Sequence, residues 1–278
     1  MIIDFNYEIC TRCGLCSKVC GSKRIGIGED NKPYKIINTG CNDCGHCVAV
    51  CPQNAVRNPR MNMKDFIDIV DPEISIEQFT HLVRNRRSIR NYRKEPLKKE
   101  HIDNILGVVN YIPTGSNKQS LKYKFISDQE LLLKIKTLMA SKIRTVSTLI
   151  NSFPVRYFVP EKSRRSLNRR IEQWDTGDDT FLRDAPCLLI IYSEDRYFKI
   201  PQWDAGIASN TIDLAAQTIG VATLMNGYFV VLAERYKSIK KLVQIPQKQK
   251  ILAAICLGYP DIRYKKTIYR RPLDVIIM

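Results

Sequence analysis

Two short cysteine runs near the start of the chain constrain its fold more than any other feature. They hold eight of the ten cysteines, and each run repeats the spacing C-x2-C-x2-C-x3-C. A tight loop with this spacing brings three thiolates together, whereas a fourth must come from elsewhere in the chain. The pattern therefore predicts ligands of iron–sulfur clusters, namely Cys10, Cys13, Cys16 and Cys20 in the first run and Cys41, Cys44, Cys47 and Cys51 in the second.

The fourth cysteine of each run is expected to ligate the cluster of the other run, as in two-cluster bacterial ferredoxins. One [4Fe–4S] cluster would take Cys10, Cys13, Cys16 and Cys51, and the other would take Cys41, Cys44, Cys47 and Cys20. Pro52 follows the second run, as is typical of such ferredoxins, but Gly21 follows the first. Zinc sites usually combine separated C-x2-C pairs with histidine, and a disulfide framework requires a secreted chain, for which we see no signal peptide.

Composition indicates an ordinary water-soluble protein with a basic surface. Hydrophobic residues make up 44% of the 278 residues, charged residues 26%, and the formal net charge is +16. No apolar stretch approaches the ~20 residues of a membrane span, so we expect a cytoplasmic protein without a membrane partner. The positive charge suits an acidic protein partner such as ferredoxin. It also suits nucleic acid, although basic residues interleaved with aromatic ones and a helix-turn-helix pattern are both missing.

The order of patterns predicts a cluster module followed by an α+β domain. We expect residues 1–60 to form the ferredoxin-like 2[4Fe–4S] domain, 61–72 a linker, and 73–278 the second domain, with a short hairpin between the cysteine runs in Gly21–Gly40. Ser75 and Gln78 form a capping-box pattern that starts a helix. Further helices are predicted after Pro96 and over Gln129–Ile150, Pro201–Ile219 and Leu232–Val243, and strands over Leu121–Phe125, Pro186–Ser193, Val221–Met225 and Ile251–Leu257.

The sequence also predicts which residues of one helix are buried and which segment of the second domain is irregular. The helix over Pro201–Ile219 is predicted to bury Ile207, Leu214 and Ala215. Residues 154–179 are predicted to be irregular, with an arginine-rich solvated face rather than a binding patch. Cys187 and Cys256 fall in apolar strand patterns and are expected to be small buried residues.

A second polar site is indicated by alternating residues after the first long helix. Arg86, Ser88 and Arg90 are spaced two apart, so in extended chain they project to one side, as a phosphate or pyrimidine clamp requires. Arg270 and Arg271 near the end of the sequence are candidates to close the same site. Arginine-rich turns are common, so this pattern is weak by itself.

Five ordered segments make the second domain resemble the nitroreductase family. They are Arg86-Arg87-Ser88-Ile89-Arg90, Pro113-Thr114-Gly115-Ser116-Asn117-Lys118-Gln119, Phe181-Leu182-Arg183-Asp184-Ala185-Pro186, the helix from Asp204-Ala205-Gly206 to Gly220, and Leu257-Gly258-Tyr259-Pro260 with Arg270-Arg271-Pro272. The resemblance covers residues 73–278. It implies a nitroreductase-like fold, with a mixed sheet flanked by helices in an intertwined homodimer, here preceded by the cluster module. Ser120-Leu121 and Asn226 depart from residues common in the family.

The resemblance implies FMN as the second cofactor. Family roles place Arg86, Ser88 and Arg271, with Arg270 nearby, at the phosphate and Arg90 at the pyrimidine edge, and Arg87 is also expected among the cofactor-binding residues. Thr114, Ser116 and Asn117 would come from the partner subunit. The segment Met225, Asn226 and Gly227 would bring a backbone N–H toward flavin N5.

The predicted function is that of an iron–sulfur flavoprotein oxidoreductase. Electrons from ferredoxin or NAD(P)H would pass through two [4Fe–4S] clusters to FMN and then to a small organic acceptor such as a nitroaromatic or quinone. Because the flavin carries the chemistry, we expect no catalytic side chain, and we place His46, His81 and His101 outside catalysis. The alternatives are a flavin or ene reductase or a dehalogenase on the same fold, or a redox-sensing nucleic-acid-binding protein. A G-x-G-x-x-G motif for a separate nicotinamide domain is missing.

Overall fold

The computed structural model describes residues 3–36, 40–195 and 199–278. The chain forms two compact units, of which the first comprises Met1–Glu73 with Gly115–Gln119 and the second comprises Ile74–Thr114 with Ser120–Met278. The first unit thus includes the stretch predicted as a linker, residues 61–72. It also includes a short loop whose neighbours in sequence belong to the second unit. The domain boundaries drawn from the sequence stay predictions.

The first unit consists of short helices and two-stranded antiparallel ribbons. Helix α1 spans Leu15–Lys18 and helix α2 spans His46–Ala49. Strand β1 pairs with β4, and β2 pairs with β3; the strands are β1 Asp4–Phe5, β2 Ile25–Ile27, β3 Pro33–Lys35 and β4 Val56–Arg57. The hairpin predicted between the cysteine runs is confirmed as β2–β3, although residues 37–39 of that stretch lie outside the described residues.

Two glycines let the cysteine loops turn into α1 and α2. Gly14 and Gly45 precede the helices with φ values of 73° and 74°. A side chain with a Cβ is strained in this left-handed region, so glycine suits both positions. Arg12 and Asp43 also match each other, with φ values of 58° and 49°. The repeat in the sequence is therefore reproduced as a repeat of the backbone.

The second unit is organised around a four-stranded sheet with the order β5-β6-β8-β7. All three pairings between these strands are antiparallel. The strands are β5 Lys122–Ile126, β6 Cys187–Ser193, β7 Ala222–Met225 and β8 Lys250–Gly258. A parallel bridge between Ser88 and Thr223 extends the sheet beyond β7. The strand predicted over Ile251–Leu257 corresponds to β8, which is central because it is paired on both sides.

Helices cover both faces of this sheet. Successive side chains of a strand point to opposite faces, and in β6 Leu188 and Ile190 join one core whereas Cys187, Leu189 and Ile191 join the other. The first core contains residues of α5, α6, α8 and α9, and the second contains residues of α4 and α7. The helices are α3 Ile76–Asn85, α4 Lys99–Val109, α5 Gln129–Asn151, α6 Glu161–Asp175, α7 Ile200–Thr218, α8 Gly227–Arg235 and α9 Lys237–Leu242.

Most of the predicted elements of the second unit are confirmed. The capping box of Ser75 and Gln78 is formed in both directions at the start of α3. The predicted helix over Gln129–Ile150 corresponds to α5, and the predicted strands correspond to β5, β6, β7 and β8. Over the described ranges, no helix has the length and apolar character needed to cross a membrane.

Three predictions about helices are wrong. Residues 154–179 are not irregular, because Leu167, Ile171 and Trp174 form an apolar stripe that packs α6 on the core. The predicted helix over Leu232–Val243 is two helices, since Tyr236 is extended, with φ of −114° and ψ of 104°.

The third error concerns the buried face of α7. Ile207 is 40% exposed, and Leu214 and Ala215 are only half-buried. The fully buried residues are Ala205, Ala208, Ile212 and Ala216. Alanine at three of these four positions allows close approach of the helix to the sheet, because the separation of packed elements follows the size of the side chains between them. A prediction based on the large apolar residues of α7 therefore chose the wrong face of this helix as the buried one.

Candidate functional site

The first cysteine run presents thiols of different accessibility from one short loop. Cys13 is exposed, Cys16 at the start of α1 is buried, and Cys10 and Cys20 are half-buried. The backbone N–H of Arg24 donates to Cys20 Sγ at 3.2 Å. Burial, together with the charges of Cys10 and Cys13, raises the pKa of Cys16. Cys10, Cys13 and Cys16 therefore lie near one another, as three ligands of one cluster must.

The second run repeats this arrangement. Cys44 is exposed, while Cys41, Cys47 and Cys51 are half-buried. The backbone N–H of Ala55 donates to Cys51 Sγ at 3.2 Å, which matches the bond to Cys20 in the first run. N–H···S bonds of this kind stabilise cluster thiolates and tune their potential.

The surroundings of Cys47 fit a cluster that takes Cys20 as its fourth ligand. Burial, with the charges of Cys44, Cys41 and Cys20, raises the pKa of Cys47 to about 11. A metal that binds such a thiol displaces its proton. The predicted exchange of fourth ligands between the runs stays a prediction. Within residues 3–36, 40–195 and 199–278, no group of three or more His, Cys, Asp or Glu is arranged to hold a single metal ion.

A small apolar core encloses the inner cysteines. Cys16 packs with Ile25, Val48 and Val56, and Cys20, Cys41, Cys47 and Cys51 lie against the same cluster. An apolar shell limits access of water, and this controls the potential of a cluster bound inside it. The thiols, N–H donors and shell therefore fit two [4Fe–4S] clusters, and the eight cysteines stay predicted ligands.

The segment after α3 is extended, as the alternation of its polar residues predicts. The N–H of Ile89 donates to the carbonyl of Thr223 at 3.0 Å, next to the bridge between Ser88 and Thr223. Arg90 is exposed, and its guanidinium donates to the carbonyl of Ser88 at 3.2 Å. Arg90 therefore offers a cation at the surface of the sheet edge.

Arg86 is held by a buried carboxylate that the sequence reading missed. Its Nη1 lies 3.4 Å from Asp213 Oδ2, and the Asp213 side chain is only 7% exposed. The hydroxyl of Thr223 donates to the other oxygen of Asp213. A buried carboxylate needs such partners, so α7 and β7 together orient Arg86. The sequence pattern of α7 does not indicate the pairing of Asp213 with Arg86, because the two residues lie 127 positions apart in the chain.

Arg87 lines a cavity of about 890 Å³ in the second unit. This volume lies within the range of about 300–1,000 Å³ typical of small-molecule sites. Other cations line it as well, namely Arg93, Arg263, Lys265 and Lys266. Among the described residues, Arg87 Nε is buried without a hydrogen-bond partner. These cations suit a phosphate-bearing ligand, although Asp213 and Asp261 line the cavity as well. The closely spaced cations Arg263, Lys265 and Lys266 are the feature of the sequence that signals this cavity.

The remaining predicted FMN residues are distributed over three segments. Met225 ends β7, and the N–H of Asn226 donates to the carbonyl of Ala254 at 2.7 Å. The Asn226 side chain caps α8 by accepting from Phe229 N at 3.0 Å and donates to the carbonyl of Phe181 at 2.8 Å. Gly227 begins α8, where N–H groups lack an intrahelical acceptor. The N–H of Gly227 therefore suits flavin N5 better than that of Asn226.

The other two segments are a loop and the stretch that follows β8. Ser116 and Asn117 both have φ of 53°, and the loop Gly115–Gln119 belongs to the first unit whereas Thr114 belongs to the second. Arg270 and Arg271 are exposed in the stretch after β8. The FMN roles of all these residues stay predictions.

One residue of the Gly115–Gln119 loop, Asn117, contacts the second cysteine run. Asn117 Nδ2 donates to the carbonyls of Asn42 and Asp43, at 3.1 Å and 2.7 Å. On the other side of this spacer, Asn58 Nδ2 donates to Asp43 Oδ1 at 3.0 Å, and Arg60 pairs with the same carboxylate. The stretch between Cys41 and Cys44 is therefore fixed by several side chains of the first unit.

The two cysteines outside the runs are buried in the core, and the three histidines lie on or beside helices. Cys187 and Cys256 are fully buried, as predicted, and burial raises the pKa of Cys256 to about 12. His101 Nδ1 lies 3.0 Å from the hydroxyl of Tyr259. His46 begins α2, and His81 lies on α3 near Glu77.

Sequence comparisons identify both parts of the chain. The profile of the nitroreductase family matches residues 83–259, and that of a 4Fe-4S dicluster domain matches residues 2–52. A candidate NADH dehydrogenase/NAD(P)H nitroreductase of Methanothermobacter thermautotrophicus is 24% identical over 194 residues, which cover 69% of this chain and 82% of the relative. An iodotyrosine deiodinase of Thermotoga neapolitana is 23% identical over 187 residues, which cover 65% of this chain and 87% of the relative.

Solved structures agree with these matches at the level of the fold. A nitroreductase with bound FMN from Desulfitobacterium hafniense superposes with a TM-score of 0.55 at 19% identity, covering 71% of this chain and 97% of that one. An iodotyrosine deiodinase bound to FMN and 3-iodo-L-tyrosine gives 0.51 at 22% identity, covering 72% and 96%. Because the family profile covers well over half of the sequence, the chain belongs to the nitroreductase family of oxidoreductases and carries a 4Fe-4S dicluster domain at its N-terminal end.

Proposed function

We propose that the protein is an iron–sulfur flavoprotein oxidoreductase in which electrons from ferredoxin or NAD(P)H pass through two [4Fe–4S] clusters to FMN and then to a small organic acceptor. The observation that carries this proposal is the presence of two complete cysteine runs and a nitroreductase domain on one chain. Direct hydride transfer from NAD(P)H to a flavin requires no cluster. A pair of clusters is suited to carrying single electrons from a one-electron donor to the flavin.

Each cluster would be bound by three cysteines of one run and one cysteine of the other. One cluster would be held by Cys10, Cys13, Cys16 and Cys51, and the other by Cys20, Cys41, Cys44 and Cys47. The N–H groups of Arg24 and Ala55 donate to the two cysteines that cross between runs. Iron–sulfur clusters supply single-electron transfer at potentials that such bonds adjust. The exposed thiols of Cys13 and Cys44 lie at the surface where a protein donor can approach.

Residues of the second unit would bind FMN by charge and by backbone donors. Arg86, oriented by Asp213, and Arg87, with its unpaired Nε, are suited to the phosphate. Arg90 would lie at the pyrimidine edge, where a cation stabilises negative charge. FMN exchanges one electron at a time with a metal cluster and two at a time with an organic acceptor. The side chains bind and orient the cofactor, and we assign none of them an acid or base role.

The acceptor is proposed to be a nitroaromatic or a quinone, and dehalogenation is the second candidate. The relatives named as iodotyrosine deiodinases favour the second candidate. In that reaction two electrons and one proton replace a carbon–halogen bond by a carbon–hydrogen bond and release the halide ion. Flavin or ene reduction on the same fold remains an alternative. A redox-sensing nucleic-acid-binding role has only the net charge of +16 in its favour.

The proposed assembly is a homodimer. Trp203 and Ile207 on α7 are 68% and 40% exposed, and Phe79 and Val83 on α3 are exposed as well. Exposed apolar residues on neighbouring helices are typical of surfaces that another protein covers. Ferredoxin would be the transient partner, attracted by the basic surface.

The test is anaerobic reduction of the purified protein. We expect flavin bands over broad cluster absorption, with about eight irons and about one FMN per chain. Reduced ferredoxin should reduce the flavin of the wild type and fail with Cys44→Ala, whereas the matched control Cys187→Ala should behave as the wild type. Full-speed reduction of the Cys44→Ala flavin by NADH, combined with no reaction of wild type with ferredoxin, would exclude the relay. Iron-free and flavin-free protein after anaerobic reconstitution would exclude the whole proposal.

A further inference from the structure

The carboxamide of Asn117 acts on the backbone of the second cysteine loop. Asn42 and Asp43 form the whole spacer between Cys41 and Cys44, and Asn117 Nδ2 donates to the carbonyl groups of both. The shorter of the two bonds, to Asp43, is 2.7 Å long. Rotating either peptide plane would break one bond, so the amide restrains the segment that presents two of the thiols.

The amide of Asn117 is itself oriented from the other side. Gln119 Nε2 donates to Asn117 Oδ1 at 3.1 Å, so both ends of the carboxamide are engaged. Asn117 has φ of 53° and Gln119 has φ of 46°. These left-handed conformations cost energy in residues other than glycine and persist where the surroundings enforce them. The loop is therefore shaped to present its amide to the cysteine spacer.

The spacer is held on its other side through the carboxylate of Asp43. Asn58 is 3% exposed and donates to this carboxylate at 3.0 Å, and Arg60 forms an ion pair with it. The backbone of Asp43 is also left-handed, with φ of 49°. The carbonyl group and the side chain of Asp43 are thus held by different partners, which leaves the spacer little freedom to rearrange.

Among the described residues, no comparable set of side chains holds the equivalent positions of the first run. Thr11 and Arg12 take the places of Asn42 and Asp43. Arg12 carries a positive charge instead of a negative one and donates to the carbonyl of Asp30 at 3.4 Å on an exposed surface. Two loops with one spacing and one backbone conformation therefore differ in what restrains them.

We propose that Asn117 is a positioning residue for the second cysteine loop, and that occupancy of this loop by a cluster is coupled to the order of Gly115–Gln119. The proposal rests on the proposed function in one respect, namely that the second run binds a cluster. Coupling of this kind is reciprocal: if the loop favours cluster binding, bound cluster favours the ordered loop by the same factor. Since Ser116 and Asn117 are also predicted FMN residues, the coupling joins the state of this cluster to the predicted flavin segment.

Hydrogen exchange of the anaerobic, cluster-loaded protein tests the positioning role directly. Asn117→Ala removes both bonds, and Asn117→Asp keeps the size of the side chain but places an acceptor against two carbonyl groups. In both variants, backbone amides of residues 41–47 should exchange about tenfold faster, the equivalent of about 1.4 kcal/mol. Exchange of the amides of residues 10–16 should be unchanged, because Asn117 bonds to the second loop. The first loop is therefore the internal control.

Two further variants separate the amide from general effects on folding. Gln119→Ala leaves the bonds of Asn117 possible but frees its orientation, so a smaller increase in exchange, about twofold to threefold, is expected. Asn110→Ala changes an exposed asparagine of the second unit and should leave both cysteine loops unchanged. Equal acceleration at residues 10–16 and 41–47, or no acceleration at 41–47, would overturn the positioning role.

The coupling has its own readouts, which do not depend on activity. Exchange at residues 115–119 should be slower in wild type loaded with clusters than in apoprotein, and this difference should vanish in Asn117→Ala. A chelator should remove about four of about eight irons faster from Asn117→Ala, while the other phase is unchanged. Equal exchange at 115–119 with and without clusters contradicts the coupling. Absence of iron in wild type would instead contradict the proposed function, so the two failures are distinguishable.

Discussion

The two cysteine runs share a spacing and a backbone but differ in their surroundings. Gly14 and Gly45 have φ values of 73° and 74°, and Cys20 and Cys51 each accept an N–H···S bond of 3.2 Å. In contrast, Arg12 points outward whereas Asp43 is bound by Asn58, Arg60 and a loop from residue 115 onward. Repetition in sequence thus specifies the ligands, and the non-repeated residues around each loop distinguish the two sites.

The largest effect is expected when a crossing ligand is removed. Cys51→Ala should cause loss of the same cluster as Cys13→Ala, and Cys20→Ala should match Cys44→Ala, because fourth ligands are exchanged between runs. Each variant should retain about four of about eight irons. Iron analysis with low-temperature electron paramagnetic resonance checks the pairing. If Cys51→Ala loses the same cluster as Cys44→Ala, the fourth ligands are not exchanged between the runs.

The next effect concerns the two glycines. Alanine at either position is strained by about 1–2 kcal/mol because φ is positive. At Gly45 the added Cβ would lie 3.2 Å from two atoms of the Phe66 ring, whereas at Gly14 nothing lies within 4 Å. Gly45→Ala should therefore destabilise the module by about 1 kcal/mol more than Gly14→Ala.

Denaturant titration that follows cluster absorption measures this difference. Gly21→Ala is the matched control, since its Cβ meets nothing within 4 Å and its φ is not in the left-handed region. Equal losses for Gly14→Ala and Gly45→Ala would show that the two loops are enclosed alike.

A smaller effect is expected at the residues that precede Cys13 and Cys44. Asp43→Ala deprives the buried amide of Asn58 of its acceptor, at a cost of about 1–2 kcal/mol. Arg12→Ala removes one long bond at an exposed surface and should stay within about 0.5 kcal/mol of wild type. Thermal unfolding of the cluster-loaded protein under anaerobic conditions checks both. A larger loss for Arg12→Ala would reverse the ranking of the two loops.

Local patterns were sufficient for much of the fold and for the ligand set. The capping box of Ser75 and Gln78, the alternation in β5 and the apolar run of β8 each depend on neighbours in sequence, and each is confirmed. The family match confirms the resemblance, which rested on the order of short segments. Features of this kind are recorded in consecutive residues, so the sequence alone reveals them.

The errors arise where contacts between distant residues decide the outcome. The buried face of α7 follows alanines that approach the sheet closely, and this cannot be inferred from residue size along one helix. The pairing of Arg86 with Asp213 spans 127 residues. The bonds of Asn117 to the second cysteine loop span 75 and 74 residues. Thr114, Ser116, Asn117 and the segment 225–227 could be proposed as FMN residues only through a family resemblance for the same reason.

The ribbon formed by β1 and β4 has a consequence for how such proteins arise. Asp4 lies opposite Arg57, so the cysteine-bearing segment starts and finishes at neighbouring points of one ladder. A cassette whose two ends emerge side by side can be spliced before or within a host gene without distorting the host fold. A transplant of this stretch onto an unrelated reductase would also need a substitute for Asn117, which holds the carbonyls of Asn42 and Asp43 from outside the stretch.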